Sequence, residues 1–165
     1  MKPYKDQQKS IDEIFEEFHN KDRLLFQLPT GGGKTAVFSF IAKRFIKEYQ
    51  QKILVLAHRE ELINQTLETL RNIGVSCESI IAQKKSLKHN ANAYVGMIQT
   101  LKNRLRNNPL FVKEIGLIII DEAHLLPEEN ILPKAVELSN KSENIIFASG
   151  TYSKDTLNNL KYFTK

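Results

Sequence analysis

Ile11, Ile14, Phe15 and Phe18 recur at the i, i+3, i+4, i+7 spacing of one helix face, which predicts an amphipathic helix over residues 7–19. A short apolar run at 24–28 reads as a strand, and it ends in Pro29-Thr30-Gly31-Gly32-Gly33, the chain's only glycine cluster. Residues 34–49 follow as a helix with apolar side chains nearly all round, hence largely buried. The alternation then continues: a strand at 53–57, a helix at 59–72 with Leu62, Ile63, Leu67 and Leu70 inward, and Gly74 as its C-terminal stop. Further strands are expected at 77–81, 93–98, 117–120 and 144–148. A polar Lys/Asn-rich connection covers 83–92, and helices are expected at 100–106 and 133–138. Strands alternate with helices, and the strands are apolar throughout rather than at every second position. That pattern argues an α/β fold with a mostly parallel sheet covered on both faces, a three-layer α-β-α sandwich.

Composition narrows the classes. With 165 residues, 41% hydrophobic and 26% charged, the chain can bury a core and is too apolar for a disordered tail. Cys77 is the single cysteine, which excludes an internal disulfide framework and a cysteine-based zinc cluster. The longest apolar stretch, 115–120, falls far short of the ~20 residues a membrane-spanning helix needs. Residues 1–9 are polar and carry no signal-peptide core, so a cytoplasmic protein with no membrane partner is expected. No repeat or linker interrupts the pattern, and residues 1–165 read as one domain.

The net charge of +5 is a modest basic excess, but it is unevenly placed. Lys84, Lys85, Lys88, Lys102, Arg104, Arg106 and Lys113 fall in one stretch with no acidic residue among them. Such a run is either a solvated face or a phosphate-binding surface, and only its position in the fold can decide.

Two motifs carry chemistry. Gly31-Gly32-Gly33-Lys34-Thr35 joins a predicted strand to a predicted helix, the context in which backbone N–H groups and a helix N-terminus cradle phosphate. Lys34 would reach the β- and γ-phosphates and the Thr35 hydroxyl would ligate Mg²⁺. Leu28 stands where the strict phosphate-loop pattern has its first glycine. The second motif, Asp121-Glu122-Ala123-His124, follows a continuous apolar strand directly. Ligands in open α/β sheets sit at the carboxyl ends of strands, so both motifs should meet there. Asp121 would hold Mg²⁺, and Glu122 would orient and deprotonate the attacking water.

Taken in order, the motifs resemble those of the first motor domain of superfamily 2 helicases and translocases, which has a RecA-like fold. Residues 29–35 are similar to motif I, with Thr30, Gly31, Gly32, Gly33, Lys34 and Thr35 as the nucleotide-binding set. Asp121-Glu122-Ala123-His124 resembles motif II in its DEAH spelling, which makes Asp121, Glu122 and His124 catalytic candidates with Lys34. Gln7, or Gln8 in the alternative register, resembles the glutamine that reads the adenine edge. Ala57-His58-Arg59-Glu60-Glu61-Leu62 resembles motif Ia and Gln99-Thr100-Leu101 the later strand-end motif; in the family both touch the nucleic-acid backbone. The resemblance thus implies Arg59 and Thr100 as contacts, with Lys102, Arg104 and Arg106 beside them adding salt-sensitive affinity for phosphates. For Lys84, Lys85 and Lys88 the solvated reading stays as good. Ser149-Gly150-Thr151 sits where motif III couples nucleotide state to domain movement, through Ser149 and Thr151, although Gly150 and Tyr152 depart from the usual alanine and proline.

The His-Arg-Glu-Glu-Leu spelling and Met-Ile-Gln-Thr-Leu look closer to the type III restriction subunit and DNA-repair branch than to DEAD-box RNA helicases. The resemblance therefore implies DNA rather than RNA as partner, with ATP and Mg²⁺ as cofactors. It also implies a second RecA-like domain, which the fourteen residues after Thr151 cannot hold, so a truncated piece of a longer motor is expected. Two other readings stay open: a regulatory module that holds ATP and nucleic acid without turnover, and a different phosphate-loop phosphotransferase.

Overall fold

The computed structural model describes residues 2–20, 23–27, 33–57, 59–81, 90–97, 99–101, 103, 115–121 and 144–149. Within them run α1 (Lys5–Glu17), β1 (Arg23–Gln27), α2 (Lys34–Tyr49), β2 (Lys52–Ala57), α3 (Glu60–Asn72), β3 (Cys77–Ile80), β4 (Ala93–Met97), β5 (Ile115–Ile120) and β6 (Asn144–Ser149). The six strands form one sheet in the order β1-β6-β5-β2-β4-β3. Every neighbouring pair is parallel, as the continuous apolar strands predict.

Both faces of the sheet are buried. Ile53, Val55 and Ala57 of β2, Ala93 and Val95 of β4, and Leu117 and Ile119 of β5 share one core with the inner faces of α1, α2 and α3. The alternate positions Leu54, Leu56, Ile118 and Ile120 point the other way and are equally buried. Helix α1 docks through Ile11, Ile14 and Phe15, and an edge-to-face chain of rings runs from Phe15 through Phe18 to Phe45. Burying each such side chain contributes about 1.5–3 kcal/mol. Phe45, with no exposed surface, anchors the chain of rings; truncating it to alanine would cost about 3–5 kcal/mol.

Local chemistry sets the boundaries. Helix α1 begins at Lys5 rather than 7, because the Gln8 N–H closes the first turn on the Tyr4 carbonyl at 2.8 Å. Those first residues are polar, so apolar spacing does not report them. Helix α3 stops in a Schellman arrangement: the N–H of Val75 donates to the Leu70 carbonyl and that of Gly74 to Arg71, with Gly74 at φ +86°. Strand β5 starts at Ile115 rather than 117. The register slips there, Lys52 facing Ile115 and Ile53 facing Leu117, so Gly116 is the extra residue of a bulge. A Cβ on Gly116 would run into the Gln51 side chain. The predicted helix at 133–138 lies outside the described residues, as does most of 100–106, although residues 99–101 and 103 are helical. Among the described residues no helix is long and apolar enough to cross a membrane.

Candidate nucleotide and nucleic-acid site

Strand β1 ends at Gln27 and α2 begins at Lys34, so the glycine-rich segment bridges a strand end to a helix start. Gly33 caps α2 in the left-handed region, at φ +74° and ψ 35°. Its carbonyl accepts the Val37 N–H at 3.0 Å, which closes the first turn. This conformation favours glycine, and a Cβ there would sit 2.5 Å from Gln7 Nε2 and push that amide aside.

The two candidate glutamines are placed differently. Gln7, half-buried, accepts the Tyr4 N–H through Oε1 at 2.9 Å and lies with its amide against Gly33. Gln8 is exposed and donates to Asp12 Oδ1 at 3.0 Å. Tyr4, 79% exposed, stands beside Gln7 as the N-cap of α1, a neighbour that apolar spacing gave no reason to expect.

The two chemical motifs meet. Asp121 is the first residue after β5, and its N–H donates to the Leu56 carbonyl at 2.9 Å, which ties it to the end of β2. Its carboxylate forms an ion pair with Lys34 at 2.9 Å between Nζ and Oδ1, and the two side chains are only 18% and 9% exposed. Residues 87 positions apart are thus brought together at the carboxyl end of the sheet. Thr35 follows Lys34 in the first turn of α2, where its carbonyl accepts the Ser39 hydroxyl at 2.8 Å. The Asp121 carboxylate and the Thr35 hydroxyl are both hard oxygen donors of the kind Mg²⁺ takes. Among the described residues no group of three or more His, Cys, Asp or Glu gathers to hold a metal.

The remaining candidates fall along the same edge. Ala57 is paired with Met97, and Arg59 and Thr100 follow two and three residues beyond them, at the ends of adjacent strands about 5 Å apart. Arg59 is exposed and caps α3, its carbonyl accepting the N–H groups of Leu62 and Ile63. Ser149 closes β6, opposite Gln27 and between the strand that feeds the glycine loop and the one that carries Asp121. From β1 to β4 the described positions Gln27, Ser149, Asp121, Ala57 and Met97 therefore follow one another along one edge of the sheet. Thr30, Gly31, Gly32, Lys102, Arg104, Arg106, Glu122, His124 and Thr151 lie outside the described residues.

A parallel sheet with a glycine-capped helix after one strand and a buried acid at the end of a second has the RecA-like phosphate-loop fold. The comparisons with known proteins specify the family. Residues 1–154 match the family described as "Type III restriction enzyme, res subunit", and the chain belongs to it. It is 26% identical over 142 residues to the ATP-dependent RNA helicase DBP5 of Candida glabrata, covering 79% of this chain and 28% of that protein. It is 36% identical over 110 residues to IRC3 of Saccharomyces cerevisiae, covering 62% of this chain and 16% of that protein. Among solved structures, S. cerevisiae Dbp5 bound to RNA and ADP BeF3 superposes with a TM-score of 0.79 at 23% identity, over 99% of this chain and 44% of that one. The Sulfolobus solfataricus SWI2/SNF2 ATPase core in complex with dsDNA gives 0.79 at 19% identity, over 100% and 37%. These likenesses show the RecA-like helicase fold. The chain spans less than half the length of each of these relatives.

Proposed function

We propose that this chain is the ATP-binding first motor domain of a nucleic-acid-dependent ATPase, a helicase or translocase, completed by a second RecA-like domain. The observation that carries the reading is the Lys34–Asp121 pair at the carboxyl edge, with Gln7 against Gly33 one loop away. Lys34 is placed to neutralise the β- and γ-phosphates, and the α2 N-terminus adds its partial positive charge. Asp121 and Thr35 are the residues that would hold Mg²⁺, whose charge would offset that of the phosphates. Glu122, next in sequence to Asp121, is assigned the proton of the attacking water, with His124 beside it. Gly31, Gly32 and Thr30 complete the loop, and Ser149 and Thr151 link it to domain movement.

Arg59 and Thr100, with Lys102, Arg104 and Arg106, are assigned to the nucleic-acid backbone. The two named relatives among solved structures carry RNA in one case and dsDNA in the other. DNA is preferred here on the motif spellings around Arg59 and Thr100. The test is phosphate release by the protein with its second domain, with and without single- and double-stranded DNA and RNA. Stimulation by DNA above RNA is expected. Nucleotide binding without stimulated release would favour a regulatory module, and release indifferent to any polymer would favour another phosphotransferase.

A further inference from the structure

Helix α1 carries Gln7 on its first turn, yet the contacts that fasten this helix lie further along it. Ile11, Ile14 and Phe15 hold it to the core by apolar contact, which sets the buried face but, being non-directional, leaves the exact roll about the helix axis loosely specified. A directional fastening comes from Arg44, nearly three turns into α2. Its Nη1 donates to Asp12 Oδ1 at 2.8 Å and its Nε to Glu48 Oε1 at 2.7 Å. The guanidinium carbon lies 4.1 Å from the centre of the Phe15 ring. Glu48, one turn on along α2, holds the planar fork, and the fork then meets Asp12 and Phe15 on α1 together.

Asp12 Oδ1 accepts from Gln8 as well as from Arg44. The same carboxylate thus fixes Gln8 on the solvent side and leaves Gln7 facing Gly33. Adjacent residues on a helix point about 100° apart, so a roll far smaller than the one that would exchange the two glutamines already carries the Gln7 amide off Gly33.

We propose that Arg44 is a positioning residue for base recognition: it holds the fine roll of α1 at which the Gln7 amide is aligned on the base of a bound nucleotide. The inference rests on the reading of Gln7 as the adenine-edge residue. An amide, with one donor and one acceptor group, matches the N6/N7 edge of adenine and mismatches that of guanine. Its orientation therefore decides selectivity. The phosphates, held by the loop and α2, are indifferent to it.

The experiment measures dissociation constants for ATP, GTP and tripolyphosphate, each with Mg²⁺, in the unaltered protein and in Arg44→Met, Asp12→Asn, Arg44→Lys and Gln7→Ala. Methionine keeps the apolar cover over Phe15 and removes the fork. Arg44→Met is expected to lower the preference for ATP over GTP roughly three- to tenfold, the scale of one hydrogen bond's net contribution. Its affinity for tripolyphosphate should be unchanged, while amide exchange within 5–17 quickens. Asp12→Asn should act in the same direction and also serves if Arg44→Met fails to fold; Arg44→Lys should restore part of the preference. A preference that falls in Gln7→Ala but stays intact in Arg44→Met and Asp12→Asn would overturn the role of Arg44 while leaving the Gln7 reading in place. A preference unmoved by Gln7→Ala would overturn that reading and the inference with it. Tripolyphosphate affinity falling in parallel with that of ATP would make Arg44 a general structural residue and also overturn the inference.

Discussion

Replacing Lys34 by alanine should have two separable consequences, because the side chain serves the empty protein as well as the nucleotide. In the ligand-free protein it removes the ammonium 2.9 Å from a carboxylate that is 9% exposed. Breaking a buried pair costs about 3–5 kcal/mol, and the partial exposure of Lys34 reduces this to roughly 1–3 kcal/mol. At a few degrees per kcal/mol, the melting temperature should fall by roughly 2–10 °C. Alanine is compatible with the first turn of α2, so the fold survives. Adding Asp121→Asn should recover part of the loss, since it removes the carboxylate whose partner was deleted. The second consequence concerns MgATP. A ligand at a hundred times its dissociation constant stabilises a protein by about 2.7 kcal/mol, a rise the unaltered protein should show and Lys34→Ala should lack. Thermal melts of the three proteins with and without MgATP read both effects. A Lys34→Ala protein that melts at the original temperature and retains the MgATP shift would refute the pairing energetics and the phosphate-loop assignment together.

Glu122→Gln in the two-domain protein should keep ATP bound and slow hydrolysis by ~10²-fold or more, because the amide cannot accept the water's proton; near-normal turnover would place the base elsewhere. Arg59→Ala combined with Arg104→Ala should weaken DNA binding alike across sequences and flatten the slope of log affinity against log salt by roughly 0.7–0.9 per lost contact. An unchanged slope with one sequence selectively affected would contradict backbone binding. Burial pushes the Cys77 thiol up, Arg71 opposing, and its Sγ–H donates to the Leu67 carbonyl at 3.6 Å. The folded state therefore favours the neutral thiol, a contribution to stability that is complete below the ordinary thiol range and lost as pH rises through the raised value. Iodoacetamide should accordingly alkylate Cys77 more slowly in the native protein than in urea; equal rates would show the thiol to be unperturbed.

Much of this molecule could be read from local patterns. Helix α2 spans Lys34–Tyr49, the limits predicted from its apolar face and the glycines before it. The strands fall within a residue or two of expectation because continuous apolar runs between turn signals leave few alternatives. The start of α1 was misplaced by two residues, since its first turn is held by the Tyr4 backbone and carries no apolar marker. Strand β5 occupies the whole of the apolar stretch 115–120, and what the stretch does not show is the bulge at Gly116, which depends on the register against β2.

The candidate site divides along the same line. Glycines before a Lys-Thr pair, and two acids after an apolar strand, are legible because each motif is continuous in the chain and its chemistry depends on residue type. Nothing along the chain says that Lys34 and Asp121 would pair, that Gln7 rather than Gln8 would lie on Gly33, or that Arg44 would reach Asp12 across 32 positions. Those contacts depend on strand order, β5 being placed two strands from β1, and on the roll of α1 upon α2. Local periodicity specifies which face of an element is buried. Which partner that face meets, and at what rotation, is settled when distant segments pack together, where the directional geometry of an ion pair or a guanidinium fork selects one arrangement from many that bury the same apolar surface.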